Sequence, residues 1–459
     1  MENNYDVIII GAGPAGIFAA REISLQSSLK VLLLEKGREV SKRKCPSNNG
    51  SENCQNCKVC SIMCGWGGAG AFSDGKLTLT THFGGWLDNY IDTQTLQSLI
   101  NYVDEVYIDH GAPYRVFGGN NKDFAILRER LALANLKLLP ARIRHMGTDN
   151  TLHVLSSLRT ALDKKITVKT GESVKEILLE HNLVKGVRTT KGSYFSPRII
   201  CAPGRDGAHW FSEQARNLKI PMSNNQVDLG VRIEMPASIM REFTDKIYEP
   251  KIIFNSKEFN DVVRTFCVNP NGHVAMENTN GIITVNGHSF ANSHSNNTNL
   301  ALLLSQVFTE PFDQPILYGR YIASLANMLS GGIIVQRYGD LKRGRRSTIS
   351  RLNEGTVEPT LKAAVPGDLS LVLPHRYMVG IKECMEALDQ AIPGVASDHT
   401  LLYGIEAKFY SARPQLNNNL QTIIGGLWAI GDGAGVTRGL IQASVSGVIA
   451  ARDVISNIP

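Results

Sequence analysis

Five cysteines, Cys45, Cys54, Cys57, Cys60 and Cys64, crowd into one short stretch, while Cys201, Cys267 and Cys384 stand alone. The run Cys54-x2-Cys57-x2-Cys60-x3-Cys64 has the spacing with which a turn aims thiolates at one metal centre, and Cys45 lies just upstream. A [4Fe–4S] cluster on four of the five, such as Cys45, Cys54, Cys57 and Cys60, would pass electrons singly. A structural zinc needs no more than the same four ligands, and uncomplexed thiols or a redox-active disulfide fit them too. The isolated cysteines read as small buried apolar residues.

A second group is Gly11-Ala12-Gly13-Pro14-Ala15-Gly16, preceded by the apolar run Tyr5–Ile10 and followed by a helical pattern from Pro14 to about Leu25. A second apolar run, Val31–Leu34, ends in Glu35 and Lys36. Gly11 allows a tight turn, Gly13 lets backbone approach a pyrophosphate, and Gly16 lets helix and strand pack closely. The helix start at Pro14 and Ala15 offers free N–H groups and a positive dipole end, and Glu35 is placed for a ribose diol. Strand, glycine turn, helix and acid occur in the order that a bound dinucleotide requires.

Polar residues beside glycine-rich or late segments form a third group. The loop Gly65–Lys76 offers Gly67, Gly68 and Gly70 for close backbone approach, with Ser73, Asp74 and Lys76 as candidate contacts. Near the C-terminus, Tyr410 could donate a proton and Arg413 could hold a carboxylate or carbonyl, with Lys408 alongside. Lys76, Tyr410 and Arg413 are therefore the candidates for the chemistry itself. The basic run Lys342, Arg343, Arg345, Arg346 and Arg351 reads as solvated surface, or as a dock for an acidic electron donor such as a ferredoxin.

At 459 residues the chain exceeds one ordinary core, so two or three packed units are expected. The formal charge of +6 is too diffuse for nucleic acid. Apolar runs are too short to span a bilayer, and the first strand begins almost at once; a cytoplasmic protein without integral membrane association is the expectation. The Asn-rich patches Asn292–Asn299 and Asn417–Asn419 read as surface turns.

Further elements identify the nucleotide. Leu427–Gly435 reads as a short strand carrying Gly431 and Asp432 into a glycine-rich turn, followed by a small-residue helix from Leu440 to Ile455. It resembles the C-terminal Gly-Asp element of the glutathione-reductase-like FAD superfamily. The resemblance implies FAD, with Asp432 on its ribityl or pyrophosphate portion and Gly439 and Leu440 near the flavin. Val168–Ile200, with turns at Gly171, Gly186 and Gly192, resembles that superfamily's β-meander, and Ala202-Pro203-Gly204 its closing turn.

Gly65–Lys76, Asp228–Arg232, Arg264–Gly272, Glu406–Ser411 and Gly431-Asp432 together resemble a bacterial and archaeal group of FAD-dependent dehydrogenases that is largely uncharacterised. The implied fold is α/β: a Rossmann-type FAD-binding domain with parallel sheet and β-meander, assembled from discontinuous segments, with an inserted α+β substrate domain. Its segments would be 1–110 (with the Cys-rich insert 45–64), 150–215 and 397–459, around a substrate domain at 216–396 that would close over the flavin. The implied activity is a dehydrogenase or ene-type reductase acting on a small organic substrate, with ferredoxin or NAD(P)H as electron donor.

Alternatives are a flavin monooxygenase, suggested by Gly204-Arg205-Asp206-Gly207, and a flavin redox sensor or electron-transfer protein. The first is weakened by Trp210 and Glu213, where the hydroxylase motif carries Ser and Arg.

Overall fold

The computed structural model describes residues 3–46, 57–73, 75–119, 122–247, 249–279, 281–289, 294–308, 311–312 and 314–458. The chain forms two compact units. The first comprises Met1–Val116, Arg142–Asn225 and Ser411–Pro459, and the second Phe117–Ala141 and Gln226–Tyr410.

In the first unit the chain forms strand β1 (Val7–Ile10), helix α1 (Pro14–Gln26), β2 (Val31–Glu35), β3 (Thr167–Thr170) and β4 (Ile199–Cys201). The second unit holds β5 (Val227–Pro236), β6 (Val262–Asn269), β7 (Ile282–His288), β8 (Asn297–Gln306) and β9 (Leu401–Phe409). The first unit ends with β10 (Leu427–Ala429) and α2 (Leu440–Ser456).

Five strands of the first unit form a wholly parallel sheet in the order β10-β4-β1-β2-β3. β1 is at most 6% exposed along its length, as a strand covered on both faces must be. Each such Ile or Val contributes about 1.5–3 kcal/mol by leaving water. From β1 the chain steps to β2 on one side, while β4 lies on the other, so β1 is the topological switch point. Ligands of open α/β sheets bind outside the carboxyl ends of strands at such a point.

The expected meander is the antiparallel set Val174–Glu180, Leu183–Thr189 and Ser193–Phe195. Its first turn is His181-Asn182, both left-handed (φ 51° and 60°), as a two-residue hairpin requires. Gly186, expected at a turn, lies instead inside Leu183–Thr189; a Cβ there would come within 2.1 Å of the Tyr194 carbonyl oxygen.

An eight-stranded, mostly antiparallel sheet makes the second unit, with β9-β5-β8-β6 adjacent at its centre. Strand β5 reads Val-Asp-Leu-Gly-Val-Arg-Ile-Glu-Met-Pro. Its odd-numbered residues Val227, Leu229, Val231, Ile233 and Met235 join a buried apolar cluster with residues of the helices Ala237–Ile247 and His375–Ala391. The even-numbered Asp228, Arg232 and Glu234 occupy the opposite face.

The units divide at 225/226 and 410/411, not at the expected 215/216 and 396/397. Leu401–Phe409 pairs antiparallel with β5 along most of its length, so it belongs to the second unit's sheet and not to the parallel one. Phe117–Ala141 also joins the second unit, because Leu136–Leu139 pairs with Lys251–Asn255 at the sheet edge. Asn297 and Asn299 are buried in β8 and not in a surface turn; Asn292 and Ser293 lie outside the described residues. Asn417 does make an exposed turn, its Oδ1 accepting from the backbone N–H of Asn419 and Gln421.

Candidate functional site

Three turns meet at the carboxyl edge of the parallel sheet. A Cβ on Gly11 (φ 102°) would lie 2.1 Å from the Ala202 carbonyl oxygen, and one on Gly433 2.1 Å from that of Gly204. A Cβ on Gly431 would meet the Ala15 methyl at 3.1 Å. The turns after β1, β4 and β10 are thus pressed together, and two of these contacts leave no room for any side chain.

Two helices start from this edge. The first residue before α1 is Gly13 and before α2 is Gly439; neither helix has a side-chain cap. Their first N–H groups and positive dipole ends are available to an anion. A Cβ on Gly13 or Gly439 would meet nothing within 4 Å, so open space lies beside both helix starts. The helices cross where Gly447 packs on α1, its Cβ position 2.1 Å from the Ala15 carbonyl oxygen.

The loop after the cysteines lies against both starts. Gly67 N donates to Ala12 O at 2.8 Å, a Cβ on Gly68 would sit 3.1 Å from Gly13 Cα, and one on Gly70 would sit 2.5 Å from Leu440 Cδ2. Arg43 ties this loop down by donating to the carbonyls of Ser61, Ile62 and Trp66 at 2.7–2.8 Å. Ser73 is used locally, donating to Gly70 O and accepting from Gly75 N. Asp74 lies outside the described residues. Lys76 stands half-buried on the short strand Lys76–Thr78, opposite His145.

Glu35, 6% exposed, does a job that the sequence does not announce. Its Oε2 accepts from Ala12 N, and its Oε1 from Gly37 N and Gly65 N, at 2.8–2.9 Å. The carboxylate therefore locks the glycine turn, the end of β2 and the loop together. Oε2 keeps a lone pair for a further donor. Lys36 is paired with Asp206. Asp432 accepts from Thr437 Oγ1 at 2.9 Å and Gly439 N at 3.3 Å; loss of solvent pushes its carboxyl above the ordinary value, against the pull of Arg205.

Of the cysteines, Cys64 is buried, Cys45 and Cys60 half-buried and Cys57 exposed; Cys54 lies outside the described residues. Cys64 Sγ donates to Asp206 Oδ2 at 3.2 Å, and burial pushes its thiol up to about 12. Among the described residues no group of three Cys, His, Asp or Glu is arranged to hold a metal ion. Cys201 and Cys384 are buried as expected, whereas Cys267 is half-buried, with left-handed backbone (φ 39°) at a bulge in β6.

Arg413, in the first unit, lies 5.8 Å over the Trp86 ring, and its buried Nη1 has no hydrogen-bond partner among the described residues. It lines a cavity of about 380 Å³ with Tyr90, Asn89, Ser223 and Gln415. Tyr410 belongs to the second unit, where its hydroxyl donates to Asp228. There the polar face of the sheet carries a linked set of charges. Arg232 grips Glu406 through Nε (2.8 Å) and Nη2 (2.9 Å), both side chains being fully buried. Arg232 Nη1 donates to Asn299 Oδ1 and the Cys267 carbonyl. Burial alone would raise the Glu406 carboxyl, but Arg232 and Lys408 outweigh it and hold it below its ordinary value. This face was missed as a site in the sequence, although the alternation Asp228, Gly230, Arg232, Glu234 between apolar residues signals it.

Residues 226–409 match the family model described as FAD-dependent protein, C-terminal domain-like. An uncharacterized protein of Clostridium beijerinckii is 28% identical over 98% of this chain and 80% of its own length. Solved structures that overlay on the whole chain include the L-proline dehydrogenase of P. horikoshii (10% identity, 95% of that chain, TM-score 0.42) and the glycine oxidase of Geobacillus kaustophilus (11% identity, 96% of that chain, TM-score 0.40). Likeness at that level says nothing about chemistry.

Proposed function

We propose that this FAD-dependent protein is an oxidoreductase of the dehydrogenase or ene-reductase type, holding FAD at the carboxyl edge of its parallel sheet. The observation that supports this reading most directly is the pair of uncapped helix starts, at Gly13 and Gly439, that leave neighbouring turns of one parallel sheet beside open space. Bound FAD supplies an acceptor or donor of hydride. The chain's own residues do the rest.

Gly11, Gly13, Pro14, Ala15 and Gly16 would present backbone N–H groups and the α1 dipole to the pyrophosphate, with Gly67, Gly68, Gly70 and Gly204 closing the walls. Glu35 Oε2 would accept from a ribose hydroxyl. Asp432 would hold the ribityl or pyrophosphate portion, and its elevated pKa suits a carboxyl that shares a proton with a hydroxyl. Gly431 brings Asp432 to that place, and Gly439 and Leu440 aim the α2 dipole at developing negative charge.

Tyr410, backed by Asp228, would hold or move a proton at its hydroxyl. Arg413, beside the Trp86 ring, would hold a carbonyl or carboxylate oxygen through Nη1. Lys76 would contact substrate or flavin. The bonded, protonated Cys64 leaves Cys45, Cys54, Cys57 and Cys60 as the set that would hold an iron–sulfur cluster or zinc. Either ferredoxin or NAD(P)H would serve as donor.

The test is the absorption spectrum of protein purified without oxygen, with iron and zinc measured on the same sample. Stoichiometric flavin bands that vanish in Gly13→Val are expected. Protein that takes up no FAD even on reconstitution would sink the proposal.

A further inference from the structure

Arg413 carries a charge that its neighbours do not neutralise. It stands on the short strand Arg413–Pro414, paired antiparallel with Met222–Ser223, and forms no ion pair among the described residues. Its guanidinium lies beside the Trp86 ring, and its buried Nη1 has no hydrogen-bond partner among those residues. No acidic residue lines the cavity of about 380 Å³ that Arg413 borders.

Tyr90 lines the same cavity. Burial raises its hydroxyl above the ordinary value, against the pull of Arg413, so the oxygen keeps its proton. A guanidinium has only donors, so Tyr90 can turn nothing but lone pairs toward it. The Tyr90 O–H therefore points elsewhere, and it reaches no acceptor among the described residues. Two donors without acceptors thus border one cavity that carries a single positive charge. An incoming oxygen would satisfy both, and a charged oxygen would gain most.

Met222, Pro414 and Leu416 give the cavity an apolar wall. Its volume is at the small end for ligand sites. A planar, singly charged carboxylate on a short apolar skeleton fits the guanidinium, the hydroxyl and the wall together, whereas a doubly charged phosphate would leave one charge unmatched.

The cavity is also joined to the start of α2. Trp86 N donates to Val436 O at 3.0 Å and Arg438 N to Gly84 O at 2.6 Å, and a Cβ on Gly85 would lie 2.6 Å from Thr437 Cα. Gly84–Trp86 is therefore pressed against the residues that lead to Gly439, all within the first unit.

We propose that this cavity holds the carboxylate of a small organic acid, between Arg413 Nη1 and the Tyr90 O–H, and that this acid is the substrate. The inference rests on the oxidoreductase reading and narrows its substrate class.

Calorimetric titration of the FAD-loaded full chain with butyrate and benzoate, each against its amide and against inorganic phosphate, tests it. The carboxylates are expected to bind at least about tenfold tighter than the amides, and to shift the flavin absorption bands as they bind. Arg413→Met should bring acid and amide to equal affinity with flavin content unchanged. Tyr90→Phe should weaken acid and amide alike, by roughly threefold to tenfold, because a hydroxyl donates to either. If Arg413→Met fails to fold, judged by its circular dichroism melt, Tyr90→Phe, which removes one oxygen only, carries the test. No carboxylate binding, tighter binding of phosphate, or a preference for acid that survives in folded Arg413→Met would overturn the proposal. So would unchanged affinities in Tyr90→Phe, or carboxylate binding that leaves the flavin bands unmoved. A chain that holds no flavin fails the parent reading instead, and the absorption spectrum of the same sample shows which has failed.

Discussion

At the scale of single residues, the same residue type does different work according to its neighbours. Cys64 and Cys57 stand in one sequence run, yet Cys64 is a buried thiol pushed up to about 12 and Cys57 is exposed. Because the thiolate is the nucleophile, alkylation of metal-free protein at pH 7.5 followed by mass spectrometry is expected to label Cys57 and spare Cys64, Cys201 and Cys384. Protection of Cys57 that chelation abolishes would mean a bound metal. Glu35 likewise has two jobs. Glu35→Gln replaces an acceptor oxygen with an amide facing backbone N–H groups, and FAD affinity should fall by about 1.5–3 kcal/mol. Fluorescence titration of flavin-free protein checks this; unchanged affinity would mean that Glu35 only locks the turn.

Elements bring out consequences that no residue carries alone. Strand β5 alternates apolar and charged residues, so one face joins the apolar core and the other becomes a buried ionic row. Removing one partner of the Arg232–Glu406 pair leaves the other charge buried, and Arg232→Met should destabilise the second unit by about 3–5 kcal/mol. Glu406 is held below its ordinary value in the fold. Its stabilising contribution is therefore present above the unfolded carboxyl pKa of about 4.3 and is lost as pH falls through the lower folded value. Thermal melts between pH 3 and 6 should show this acid loss in the parent chain, and a shallower one in Glu406→Gln.

For the whole molecule, a cofactor that binds only the folded state shifts unfolding by mass action. At a hundredfold excess over Kd the gain is about 2.7 kcal/mol, or about 5–10 °C in the melting of a unit of this size. A melt of flavin-free protein with and without added FAD measures it, and no shift would argue against the proposed site. The family match over 226–409 lies within the second unit, whereas the proposed nucleotide cradle lies wholly in the first. Each unit therefore contributes separate evidence to one reading.

Much of this is legible in the sequence. Gly11–Gly16, Glu35 and Gly431-Asp432 lie on short local patterns of strand, turn and helix, and local patterns survive in a linear text because backbone sterics act between near neighbours. Those patterns determined the parallel sheet, the helix starts and the nucleotide reading. Tertiary structure alone decided the rest. That Leu401–Phe409 joins β5 and not the parallel sheet depends on pairing between residues some 170 positions apart. That Glu35 locks three backbone amides, and that Cys64 bonds Asp206, follow from which distant groups share a low-dielectric space. Burial sets those energies, and burial is a property of the packed chain.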